Sequence, residues 1–286
     1  MEAKITVPMI RARKGLGRIV ALTAYDYPTG FLVDAAGVDV ILVGDSLGNT
    51  VLGYESTIPV SMEEMLSAVR AVRRGVRRAL LVGDMPFGSY HGDPHRSVER
   101  AVEFLKAGAE AVKVEGGRKR ASLVRRLVEN EVPVLGHIGL TPQSVHAMGG
   151  YKVQGKTALE AEHLLEDARA LESAGAFGIV LEGMPAEVAA EITREVSVPT
   201  IGIGAGPACD GQILVLTDVL GLTLPVPRPP AEADSVSKNR HAAGAEKGEA
   251  ASSPKILCGR RGGGSASPTI KGSQSLSNSC SGSESP

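Results

Sequence analysis

Four short apolar runs in this chain each end in an acid: ILVGD at Asp45, LLVGD at Asp84, VKVE at Glu115 and IVLE at Glu182. Runs this short, rich in Val, Ile and Leu and closed by glycine or turn residues, have the pattern of parallel strands buried on both faces. A helical pattern follows each of them, so the chain repeats strand, loop and helix. In a closed parallel barrel all strand ends lie on one face, the face that carries the chemistry. The pattern therefore gathers carboxylates on one mouth. Such acids stay ionised together only beside a cation or a lysine, and this predicts a hard divalent metal. Acids at strand ends also cap helices or face solvent, and any one of the four alone is open to that reading.

Further candidate strands are IVALTA from Ile19, Val132–His137, TIGIGAG to Gly206 and QILVL from Gln212. The second is read from Val38 to Asp45. The last two stand too close together for a helix between them. Helix starts are marked by Ser61-Met-Glu-Glu64, a capping box, and by Asp93-Pro94, an N-cap with proline in the first turn. Val98, Ala101, Val102 and Leu105 form one apolar face, and Leu164, Leu165, Ala168 and Leu171 another, on a helix over 157–174. The composition changes near Leu224. Residues 225–286 are mostly Ser, Gly, Pro and Ala, without aromatics or period. Such a stretch buries too little apolar surface to offset backbone ordering of roughly 1–2 kcal/mol per residue. The expected organisation is a barrel over 1–224 and a disordered tail over 225–286, with the eighth unit incomplete.

Net charge is −1 and no basic block occurs, which argues against nucleic acid. No apolar stretch is long enough to span a membrane, and the N-terminus lacks a secretory core. Three scattered cysteines, Cys209, Cys258 and Cys280, point to a reducing cytoplasm and not to a zinc site.

Asp45 and Asp84 end neighbouring strands and are the best metal ligands. Oxygen donors without paired histidines favour Mg²⁺ over Zn²⁺. Lys113 and Glu115, two apart on one strand, share a face; the pair is either part of a site or a structural salt bridge. His137 ends another strand and is either a satisfied core histidine or a site residue. Glu182, apart from the other acids, suits a general base. Gly150–Thr157 matches GxxxxGK[ST], but no strand runs directly into it, so it reads as a lid loop and not a phosphate cradle. Gly202–Gly206 is half a dinucleotide fingerprint without its acid.

The strings TAYDYPTG, VGDSLGNTVLGYESTIPVSMEEM, DMPFGSY, AVKVEGG, GHIGLTPQSVHAMGGYKVQGKT, VLEGMP and IGIGAGPACDGQILVLTD resemble the 3-methyl-2-oxobutanoate (ketopantoate) hydroxymethyltransferase family. The resemblance runs from about Ile5 to Leu222. It implies a (β/α)₈ TIM barrel of the phosphoenolpyruvate/pyruvate superfamily type. It also implies transfer of a hydroxymethyl group from 5,10-methylenetetrahydrofolate to 3-methyl-2-oxobutanoate, giving 2-dehydropantoate in pantothenate biosynthesis, through a Mg²⁺-stabilised enolate. By motif, Asp45, Asp84 and Glu115 match the metal site, the last acting directly or through water. Asp45, Ser46, Asp84, Lys113 and His137 match residues around the oxo acid, and Glu182 matches the base. Members are usually cytoplasmic decamers. Where members continue into an ordered last helix, this chain has TLPVPRPPAEAD and the low-complexity tail. Two alternatives stay open: a related Mg²⁺-dependent C–C lyase, and a non-catalytic barrel damaged at its C-terminus.

Overall fold

The computed structural model of the chain describes residues 3–224; the expected tail over 225–286 lies outside them, as do Cys258 and Cys280. Eight parallel strands close into a barrel in chain order. They are β1 (Ile19–Thr23), β2 (Val40–Val43), β3 (Leu80–Asp84), β4 (Ala111–Glu115), β5 (Val134–Gly139), β6 (Gly178–Glu182), β7 (Thr200–Ile203) and β8 (Gly211–Leu214). Around them, α1 (Val7–Arg11) precedes β1. Then come α2 (Tyr27–Ala35), α3 (Leu47–Thr50), α4 (Met62–Gly75), α5 (Pro94–Ala107), α6 (Ala121–Glu129), α7 (Val145–Met148), α8 (Ala158–Ser173), α9 (Ala186–Glu195) and α10 (Leu216–Val219). No helix separates β7 from β8, as the spacing predicts.

The period of two along each strand divides the apolar residues into two cores. An inner core fills the barrel with Ala21, Leu42, Val82, Ala111, Leu135, Val180, Ile201 and Ile213. Ile5 and Ile10 join it from the N-terminal segment and close the bottom, where the Ile5 N–H donates to the Arg78 carbonyl at 2.8 Å. An outer core packs the alternate strand residues under the helices. The closed bottom leaves the C-terminal mouth as the open end, where loops of varied length can carry function.

The helix starts follow the sequence signals. Ser61 and Glu64 form a reciprocal capping box on α4, and Thr157 and Glu160 another on α8. Asp93 caps α5 by accepting from the His95 N–H at 2.9 Å. The buried face of α5 centres on Ser97, Ala101 and Phe104, while Val98, Val102 and Leu105 are only partly buried. The cause is Gly83: a Cβ there would stand 2.4 Å from the Phe104 ring. The glycine of LLVGD is thus a socket for an outer helix.

The two VGD strings are not equivalent. In β3 the strand runs through Asp84, whose side chain shares the inward parity of Leu80 and Val82. The second strand, expected from Val38 to Asp45, spans only Val40–Val43. Val43 pairs with Gly83, so Gly44 takes the position beside Asp84, and Asp45 lies beyond the strand.

Candidate active site

Parallel pairing sets the acids and their partners in ascending steps. Asp84 is paired with Lys113, Glu115 with His137, and Gly139 with Glu182. Every one of these side chains points into the barrel mouth. Lys113 donates from Nζ to Asp84 Oδ2 at 2.6 Å and lies 3.3 Å from Glu115 Oε1. His137 stands between two acids, Nδ1 3.3 Å from Glu115 Oε1 and Nε2 3.3 Å from Glu182 Oε2. These contacts are off the line of a good hydrogen bond, so charge attraction is their main component. Lys113, Glu115, His137 and Asp84 are all buried; Glu182 keeps a side-chain exposure of 16%.

Gly139 makes the step from β5 to β6 possible. Its φ is +94°, and a Cβ would stand 2.2 Å from the Glu182 carbonyl oxygen. Only glycine lets the end of β5 pass so close to Glu182.

Charge is unevenly balanced across the mouth. Burial opposes the charge on Glu115, but Lys113 and His137 hold its carboxyl down at about 2. Burial likewise opposes a charged Lys113, and Asp84, Glu115 and Asp45 hold its ammonium well above its ordinary range. His137 is pushed up to about 9: burial disfavours the imidazolium, but Glu115 and Glu182 outweigh it. Burial raises Asp84 despite Lys113. Asp45 is raised well above the ordinary carboxylate range, by burial and then by the charges of Asp84 and Glu115. The excess negative charge thus lies on the Asp45–Asp84 side, away from His137.

Open oxygens mark the same side. Asp84 Oδ2 accepts from Lys113 and, at 3.2 Å, from the Asp45 N–H; Asp84 Oδ1 is buried with no hydrogen-bond partner. An unsatisfied buried charged oxygen costs about 1–3 kcal/mol or more. Asp45 Oδ2 accepts from Gln143 Nε2 at 2.9 Å. Gly44 leaves room here, since a Cβ would stand 3.8 Å from Asp84 Oδ2 and 2.9 Å from Ser46 Oγ. Ser46 Oγ shares a 2.9 Å hydrogen bond with the Tyr25 hydroxyl.

Among the described residues no three His, Cys, Asp or Glu side chains form a metal cage. Within the expected set of Asp45, Asp84 and Glu115, the acids differ in how far protein groups already engage them. Lys113 stands between Asp84 and Glu115, and both Glu115 oxygens are engaged: Oε1 by Lys113 and His137, Oε2 by the Gln143 N–H at 3.0 Å. The donor set that remains is Asp45 and Asp84. It fits Mg²⁺, which is commonly held by one or two carboxylates, with substrate and waters completing six oxygens.

Gln143 and Tyr90 are site residues that sequence reasoning passed over. Gln143 is buried; its Nε2 also donates to the Met85 carbonyl at 2.9 Å, and its Oε1 accepts from the Tyr90 hydroxyl at 2.6 Å. One side chain therefore ties Asp45, Tyr90 and the loop after β3 together. The available signals were a polar residue directly after Pro142 near a strand end, and a tyrosine in an aromatic-poor chain. Gln143→Leu should strip partners from Asp45, Met85 and Tyr90 at once. The expected loss is about 2–4 kcal/mol, read by denaturant unfolding; a loss under about 0.5 kcal/mol would mean that water replaces these bonds freely.

The GxxxxGK[ST] segment packs at the rim. The Gln154 N–H donates to the Gly183 carbonyl at 2.9 Å. The Lys156 and Thr157 N–H groups donate to the Glu160 carboxylate at 2.8 and 3.1 Å. An acid thus occupies the donors that a phosphate would need, and β5 ends at Gly139, well before the motif. Calorimetric titration with ATP and Mg²⁺ should show no specific binding; micromolar affinity would contradict this geometry. Gly206 after β7 serves packing, since a Cβ there would stand 2.5 Å from Ala186. Cys209 is buried and outside the site.

No helix among the described residues is long and apolar enough to cross a membrane. A family model described as ketopantoate hydroxymethyltransferase matches residues 4–244. A 3-methyl-2-oxobutanoate hydroxymethyltransferase of Koribacter versatilis (strain Ellin345) is 63% identical over 210 residues, 73% of this chain and 71% of the relative. Its counterpart from Thermotoga maritima (strain ATCC 43589 / DSM 3109 / JCM 10099 / NBRC 100826 / MSB8) is 58% identical over 218 residues, 76% and 81% of the two chains. Among solved structures, phosphoenolpyruvate phosphomutase from Streptomyces platensis subsp. rosaceus superposes with a TM-score of 0.58 at 13% identity, over 76% of this chain and 83% of that one. That last likeness concerns the fold alone.

Proposed function

Because the chain belongs to the ketopantoate hydroxymethyltransferase family, we propose that its barrel mouth transfers a hydroxymethyl group from 5,10-methylenetetrahydrofolate to 3-methyl-2-oxobutanoate. The product is 2-dehydropantoate, a precursor of pantothenate. Overall, the C3–H bond of the oxo acid breaks and a bond forms from C3 to the donor methylene. The methylene leaves its two carrier nitrogens, water supplies the hydroxyl, and the C3 proton and the other proton of the water end on those nitrogens.

The observation that carries the site is the open Asp84 Oδ1, buried beside Asp45 and the space that Gly44 leaves. Asp45 and Asp84 would hold Mg²⁺, with Glu115 reaching it through water. The ion, when bound, would draw electron density from the oxo acid's oxygens and acidify C3–H. The remaining roles fall to the chain's own groups. Lys113 offsets negative charge on the bound acid, and the Ser46 hydroxyl donates to it. Glu182 takes the C3 proton: its Oε1 has no protein partner among the described residues, while His137 holds Oε2. An imidazolium at that distance fixes the orientation of the Glu182 carboxylate, which is what a positioned general base requires.

A C–C lyase reading has only fold-level support, from a lyase structure at 16% identity, against relatives named as transferases at 58–63%. The reading of a barrel damaged near its C-terminus concerns residues outside those described, and every proposed site residue precedes Leu224. In keeping with the family, we read the working unit as a cytoplasmic homo-oligomer, up to a decamer, acting on small molecules and not on nucleic acid or membranes. Exposed Tyr27, Phe31 and Leu32 on α2 support self-association; sedimentation velocity reads it directly.

The deciding experiment is conversion of 3-methyl-2-oxobutanoate with and without reduced folate and Mg²⁺. Product should require both. Product formation in chelator without any divalent ion would remove the metal from the mechanism, and none under full conditions would remove the transferase.

A further inference from the structure

A cleft of about 490 Å³ opens off the barrel mouth. Its inner end is Glu115, Gly139 and Gln143, and it runs outward between the loop after β4 and the segment that leads into α8. A small branched 2-oxo acid at the barrel axis fills little of such a volume, which lies in the range of about 300–1,000 Å³ that holds a drug-sized molecule. The chemistry of its walls changes along its length. Ile138, Tyr90, Met148 and Leu164 line it with apolar surface, and Arg118, Lys119 and Arg120 stand along the wall after β4.

The acids in the cleft are already committed. Glu115 has both oxygens engaged. Glu160 serves the backbone N–H groups before α8. Asp167 accepts from the Arg118 N–H at 2.9 Å and from Arg118 Nε at 3.0 Å, and Glu166 also pairs with Arg118. Arg118 is thereby neutralised. Lys119 and Arg120 make no ion pair among the described residues, and Arg120 lies 5.5 Å above the centre of the Tyr90 ring. Two cations without ion-pair partners among the described residues, one of them over an aromatic face, line a cleft with apolar walls and match a flat molecule with an anionic tail.

We infer that this cleft seats the one-carbon donor, with the ring system of a reduced folate along the apolar wall and its glutamate carboxylates on Lys119 and Arg120. The direction follows from the reaction: the donor methylene must reach the oxo acid at the axis, so the tail points out. The inference rests on the transferase reading.

The test compares 5,10-methylenetetrahydrofolate with 5,10-methylenetetrahydropteroate, which lacks the glutamate, in the wild type and in Lys119→Glu and Arg120→Gln. Lys119 is exposed, so Lys119→Glu leaves the core intact. The wild type should show a KM roughly tenfold or more lower for the folate, the worth of one charge-assisted hydrogen bond. In both variants that ratio should fall towards one. The KM for the oxo acid and folate-free exchange of its C3 hydrogen should stay at wild-type values. Equal KM for the two donors in the wild type, or an unchanged ratio in Lys119→Glu, overturns the assignment while leaving the transferase intact. No product from either donor in the wild type sinks the transferase reading and this one with it.

Discussion

Asp84→Asn should weaken Mg²⁺ binding by about two orders of magnitude and nearly abolish turnover. The carboxamide is neutral, so the side of the mouth with excess negative charge loses the group whose Oδ1 is open to an ion. Removing one metal-site group typically costs 10–100-fold in affinity even when it lies one shell out, and a direct ligand costs at least as much. A second effect accompanies the first. Lys113 loses its 2.6 Å partner and keeps only Glu115 at 3.3 Å. Breaking a buried pair from one side is destabilising, by up to about 3–5 kcal/mol when nothing compensates. Affinity and stability must therefore be read separately: Mn²⁺ titration followed by electron paramagnetic resonance for the first, denaturant unfolding of metal-free protein for the second. Wild-type Mn²⁺ affinity in the folded variant would show that Asp84 serves Lys113 and not a metal.

Glu182→Gln should slow turnover by about 10²–10⁴-fold, the usual cost of losing a positioned general base. The substitution keeps shape and removes basicity. Neither Mg²⁺ nor oxo-acid binding depends mainly on this group, so both should persist. The direct readout is exchange of the C3 hydrogen of 3-methyl-2-oxobutanoate in deuterated water without folate. Wild type should exchange it and the variant should not. Exchange at the wild-type rate would move the base elsewhere. His137 is the nearest other group, but both its nitrogens face carboxylates and it is held protonated up to about 9, so it has no lone pair to offer.

Much of this site is legible in the sequence, for a physical reason. A parallel strand buried on both faces must be apolar throughout, so an acid that closes such a run stands out, and a period of two gives its direction. This reasoning reaches Asp84, Lys113, Glu115, His137 and Glu182, which share inward parity on successive strands. It does not reach Gln143 or Tyr90. They come from loops, where no period fixes direction, and their value lies in contacts with Asp45 and Glu115 across long separations in sequence.

The two VGD strings mark the boundary between the two kinds of knowledge. Alone, the sequence determines that strands alternate with helices, that no helix fits between the last two strands, and that carboxylates collect at one mouth. These follow from hydrophobic period, capping and segment length, all local properties. Register is not local. The pairing of Val43 with Gly83 ends β2 early, gives Gly44 the place beside Asp84, and puts Asp45 outside the strand. The same stagger puts Lys113 between Asp84 and Glu115, so that both acids share one ammonium while Asp84 keeps an oxygen without a protein partner. Which acid can bind an ion and which is neutralised depends on the neighbour across the strand, and only the closed barrel supplies that neighbour.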